Sequence, residues 1–84
     1  MQLEKQIQSY LTENLLFTDT FDYDNSASFL QEGILDSVGV MELVAFVEST
    51  FGIRVALEDV TPANFDSVSK LAAYIRAKQA SPKP

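Results

Sequence analysis

Apolar side chains near the start of the chain recur at spacings of three and four: Leu3, Ile7, Tyr10, Leu11 and Leu15. At about 100° per residue these share one face, which predicts an amphipathic helix over Gln2–Leu16. The pattern then breaks. From Phe17 to Leu35 the chain is rich in Thr, Asp, Asn and Ser. Its apolar members, Phe17, Phe21, Phe29, Leu30, Ile34 and Leu35, are expected to pin this stretch over the core. A connection of such length is uncommon in a compact domain, where it is either functional or weakly ordered.

Periodicity resumes at Asp36, a good N-cap that puts Ser37 at the first helical position. The helix runs to Phe51 and stops at Gly52, a residue suited to a left-handed C-terminal cap. Ile53 to Leu57 alternates like a strand, yet a lone strand has nothing to pair with, so an extended connection is expected. Thr61 followed by Pro62 starts a brief third helix through Asn64 or Phe65. Asp66 is expected to cap a last helix whose buried face is Val68, Leu71, Ala72 and Ile75. The predicted fold is all-α: a small four-helix bundle with three main helices and one short one, over residues 1–79. Residues 80–84 are expected to form a frayed tail.

The second helix has more apolar surface than one packing face needs. Val40, Leu43, Val44, Val47 and Phe51 already form a stripe. The other side should be polar, but it carries Val38, Met41 and Ala45 beside Glu42, with Glu48 at its flank. Either a small bundle buries most of this helix, or an apolar patch rimmed by carboxylates is presented to a partner.

Composition removes whole classes of chemistry. The chain has 84 residues and contains neither Cys nor His. There is no disulfide framework and no thiolate metal site, and neither a Ser/His/Asp nor a Cys/His centre can be built. The acidic pairs Asp22 and Asp24 lack the glycine and terminal Glu of a calcium loop, so no metal site is expected. No apolar run reaches the ~20 residues of a membrane span, and the polar N-terminus does not resemble a signal peptide, so a cytoplasmic monomer is expected.

Charge is unevenly spread. Six basic against twelve acidic residues give a net −6, which argues against a nucleic-acid partner. Between Lys5 and Arg54 there is no basic residue at all, while Glu13, Asp19, Asp22, Asp24, Glu32, Asp36, Glu42 and Glu48 fall in that interval. Uncompensated repulsion over more than half the chain suits a surface that meets basic partners.

Ser37 is the candidate for chemistry. Asp-Ser before a helix is ordinary capping when taken alone, and no His or Lys adjoins Ser37 to make it a nucleophile. The position does suit a covalently held phosphate, because free backbone N–H groups and the helix dipole favour negative charge there.

The run Gly33-Ile34-Leu35-Asp36-Ser37-Val38-Gly39-Val40-Met41-Glu42-Leu43-Val44 resembles the attachment motif of acyl and peptidyl carrier proteins. The likeness extends over nearly the whole chain, including Phe51-Gly52 and Phe65-Asp66-Ser67-Val68. It implies a non-catalytic carrier. A phosphopantetheinyl transferase would place 4′-phosphopantetheine on Ser37, with Asp36 serving as helix cap and in transferase recognition. The arm's thiol would then hold an acyl or aminoacyl thioester for downstream acyl-processing enzymes. The resemblance also makes the second helix the partner surface, which matches Val38, Met41, Glu42, Ala45 and Glu48.

Two departures narrow the family. Gly39 stands where fatty-acid-synthesis carriers usually have an acidic residue, and Val38 replaces their usual Leu. Asp36-Ser37-Val38-Gly39 is more similar to D-alanyl carriers and to discrete natural-product carriers charged by an adenylate-forming ligase. A ligase-charged carrier is the preferred expectation, ahead of a housekeeping fatty-acid carrier, a D-alanyl carrier, or an unmodified helical adaptor.

Overall fold

The computed structural model describes residues 2–80. Four α-helices follow in order: α1 (Gln2–Tyr10), α2 (Ser37–Phe51), α3 (Pro62–Phe65) and α4 (Val68–Ala80). No strand occurs among the described residues, in keeping with the all-α bundle read from the sequence. Ala80, expected in the tail, is the last residue of α4; the rest of that tail lies outside the described residues.

The core draws on every element. Ile7 and Leu11 from the first helix, Leu43 and Val47 from α2, Phe65 from α3, and Val68, Leu71, Ala72 and Ile75 from α4 are all buried. The long connection contributes Phe29, Ile34 and Leu35 to the core and packs Phe21 against it, but Phe17 and Leu30, also expected to pin it, are 81% and 51% exposed. Arg76 of α4 grips Glu4 of α1 through two bonds of 2.9 Å, and this pairing holds the Glu4 carboxyl below its usual range.

The first helix departs from the expected single α-helix. Leu11–Leu16 is a π-helix, and it ends with Phe17 in the left-handed region at φ 57°, ψ 45°. The N–H groups of Phe17 and Thr18 both donate to the carbonyl of buried Thr12. Leu15 and Leu16, at the end of this π turn, both pack against the core. Periodicity alone cannot separate these two forms, because both place residues four apart on neighbouring surface.

Asp66 also behaves differently from the reading of the sequence. Ser67 caps α4 instead: its Oγ accepts from the Lys70 N–H at 3.1 Å, and its carbonyl accepts from Leu71. The Asp66 carboxylate turns to the long connection, accepting from the Ser28 hydroxyl and from the Leu30 N–H at 3.1 Å. Its carbonyl takes the Phe29 N–H at 2.7 Å. The connection is therefore clasped to the α3–α4 junction at the point where Phe29 enters the core.

Candidate functional site

Asp36 fixes the start of α2. Its extended backbone (φ −104°, ψ −172°) leads into the helix, and its Oδ1 accepts from the Gly39 N–H at 2.9 Å. Such a cap stabilises a helix by about 1 kcal/mol. It satisfies one orphan donor of the first turn and leaves the Ser37 and Val38 N–H groups without an acceptor inside the helix. Ser37 is exposed, and its hydroxyl has no hydrogen-bond partner among the described residues. The position offers an unengaged hydroxyl, free N–H donors and the positive end of a fifteen-residue helix. A phosphoester fits there on charge and on access.

Gly39 has a structural reason that the sequence did not reveal. A Cβ at this position would lie 3.1 Å from Leu35 Cδ2 and 3.3 Å from Leu35 Cβ. Leu35 is buried under the first turn, so the missing side chain lets the connection pass close beneath the serine. At the far end of α2, Gly52 adopts φ 66°, ψ 30° and returns its N–H to the Glu48 carbonyl, as the left-handed cap requires.

Two recesses flank Ser37. One is an apolar cavity of about 210 Å³ between α2 and α3, walled by Leu30, Val40, Met41, Val60, Pro62 and Phe65. Thr61 and Asp66 supply its polar edge. The other is a broader, open cleft toward the end of the first helix, lined by Leu15, Gly33, Asp36, Val38 and Glu42 among others. Leu30 borders both and stands between them; sequence reading had given it only a pinning role.

The face expected to meet partners divides. Val38 is 68% exposed and Met41 50% exposed, with Ala45 and Glu42 also in solvent. Glu48 is half-buried and turned inward, where its Oε2 accepts from the Val55 N–H at 2.8 Å. Only one of the two carboxylates on α2 is thus free, and the exposed face is chiefly apolar.

Comparisons with known proteins bear on this site. The family model described as "Phosphopantetheine attachment site" matches residues 4–75. The chain is 30% identical over 79 residues to the D-alanyl carrier protein of Abiotrophia defectiva, covering 94% of this chain and 99% of that one. It is 22% identical over 81 residues to the probable acyl carrier protein PigG of Serratia sp. (strain ATCC 39006), covering 96% and 93%. A D-alanyl carrier protein of Lactococcus lactis subsp. cremoris (strain MG1363) is 28% identical over 68 residues, covering 81% and 86%.

Proposed function

Because the chain belongs to the phosphopantetheine-binding carrier family, whose members hold a covalent 4′-phosphopantetheine, we propose that Ser37 is the attachment point and that the cargo is an aminoacyl or short acyl group. The observation that carries this reading is the free, exposed Ser37 hydroxyl at the first position of α2, set above a glycine that admits the close passage of Leu35.

Attachment replaces the hydroxyl proton. The Ser37 Oγ–phosphorus bond forms, the pyrophosphate bond of coenzyme A breaks, and adenosine 3′,5′-bisphosphate leaves. With no His or Cys in the chain and no Lys or Arg between Lys5 and Arg54, the base belongs to the transferase. Once bound, the arm supplies a terminal thiol that forms a thioester. The chain's own residues do the rest. Asp36 holds the first turn in place. Val38, Met41 and Ala45 offer apolar contact to the ligase and to downstream enzymes, and Glu42 offers one charge.

A ligase-charged carrier in a natural-product pathway is supported by Asp36-Ser37-Val38-Gly39, and an acyl cargo by the likeness to a probable acyl carrier protein. A D-alanyl carrier is supported to the same degree by the relative from Abiotrophia defectiva, which the chain matches over almost its full length.

The test is intact-mass measurement after incubation with coenzyme A, Mg²⁺ and a broad-specificity phosphopantetheinyl transferase. Wild type gains one phosphopantetheinyl mass and Ser37→Ala gains none. An unmodified wild type, or a modified alanine variant, rejects the assignment. Offering the armed protein to adenylate-forming ligases with ATP and a panel of amino and short carboxylic acids then identifies the cargo.

A further inference from the structure

The apolar cavity between α2 and α3 has no task in the reading above. Its wall on the α3 side, Val60 with Thr61, is pinned in place. Asp59, the residue before Val60, accepts from the Thr61 N–H at 2.9 Å and from the Asn64 side chain at 2.9 Å through its carbonyl. Its carboxylate accepts from the Tyr74 hydroxyl at 2.8 Å. Of the polar groups at the cavity's edge, the Asp66 carboxylate is taken up by Ser28 and the Leu30 N–H. Thr61 stands at the N-cap of α3 but makes no side-chain cap bond, so its hydroxyl remains available. A formed apolar hollow with few polar groups at its border is the usual build of a small-molecule site.

Ser37 itself lines this cavity, so a group tethered to its hydroxyl starts at the cavity's rim. Tethering keeps that group at high effective concentration, and modest apolar contact is then enough to fill the site. The stretch of arm nearest the tether sets the occupant. Directly beyond its phosphate, 4′-phosphopantetheine carries a quaternary carbon bearing two methyl groups, followed by a hydroxyl and an amide. Val40, Met41, Val60 and Pro62 match the methyls, and the Thr61 hydroxyl matches the polar groups that follow. The other cleft beside Ser37 is lined by Asp36 and Glu42, whose carboxylates gain nothing from methyl groups.

We propose that the cavity between α2 and α3 seats the dimethyl segment of the arm, with Thr61 meeting the hydroxyl or amide beyond it. This rests on the carrier reading above. The root of the arm is then held against the bundle between visits to partner enzymes, while the thiol end stays free. Burying the methyls removes apolar surface from water on both sides of the contact, so the armed protein is more stable than the bare one.

The experiment arms the protein with a broad-specificity phosphopantetheinyl transferase, once from coenzyme A and once from an analogue lacking the two methyls. Thermal denaturation then compares each armed form with the bare protein. The natural arm raises Tm by a few degrees, and the demethylated arm loses most of that shift. Proton NMR of the naturally armed protein shows nuclear Overhauser contacts from the arm's methyls to Val40, Met41 and Val60. Val60→Phe fills the hollow, so its armed and bare forms melt together; should that variant not fold, the two arms on wild type decide. Equal Tm shifts from the two arms overturn the proposal. So do methyl contacts to Leu15 or Val38, which place the arm in the other cleft. Contacts at Val40, Met41 and Val60 that come only from a cargo on the thiol assign the cavity to the cargo and overturn it too. A wild type whose mass shows no arm rejects the carrier assignment first, and this proposal with it.

Discussion

The two ends of α2 are built from similar residues and use them in opposite ways. At the first end Val38 and Met41 face solvent, and among the described residues neither the Glu42 carboxylate nor the Ser37 hydroxyl has a partner. At the other, Val47 is fully buried and Phe46 stacks on Tyr10 with ring centroids 4.0 Å apart. Phe51 meets Phe46 edge-on, and Glu48 braces the backbone of Val55. One end holds the helix in the bundle; the other is left unspent for contact. Residue type alone does not decide which role a valine or a glutamate takes. Its place along the helix does.

The sharpest way to break this contrast is to make one substitution at both ends. Val47→Ala removes buried methyls and leaves a void, costing about 2 kcal/mol and lowering Tm by about 10 °C. Val38→Ala changes stability by no more than about 0.5 kcal/mol. Equal effects in thermal denaturation would erase the distinction.

A smaller effect follows from the two glutamates. Glu48→Ala leaves the Val55 N–H without its acceptor and costs about 1 kcal/mol. Glu42→Ala leaves Tm in place and instead slows charging of the armed protein by its ligase. Urea titration and loading kinetics on the same pair of variants separate the two roles.

The mildest effect lies at alkaline pH. Burial pushes the Tyr74 hydroxyl up from 10.0 to about 12, aided by its 2.8 Å bond to Asp59 and by the charges of Asp59 and Glu48. A raised folded value contributes stability that is full below the unfolded value and is lost as pH climbs through the folded one. Tm should therefore fall between pH 10 and about 12 more steeply in wild type than in Tyr74→Phe. Parallel curves would show that this bond does not support the segment leading to Thr61.

Most of this architecture was readable from local signals. Asp36, Gly52 and Pro62 mark helix limits through backbone chemistry that hardly depends on the rest of the fold, and all three limits are found in place. The buried stripe of α4 followed from spacing alone. What escaped depends on tertiary partners. Asp66 and Ser67 are both competent caps, and Asp66 is drawn away because Ser28 and Leu30 need its carboxylate. Glu48 read as a surface charge because nothing in its spacing announces the Val55 N–H seven residues on. Ser37 was legible as a site through the residues around it, whereas Gly39 became intelligible only once Leu35 was seen beneath it.

The clasps on the long connection have a practical consequence. Asn25 is tied twice, its carbonyl to the Ser69 N–H and its side chain to Gln8, and Asp66 secures residues 28–30. What resembles one sprawling loop is one span, residues 19–24, held to the core by the half-buried Phe21, followed by another moored by hydrogen bonds to α1 and α4. Closing a longer span adds little entropy, so foreign peptide spliced beside exposed Tyr23 should be carried without harm to the bundle. The same splice after Phe29 would tear out a core residue, which makes the first span the natural place for a label or an epitope.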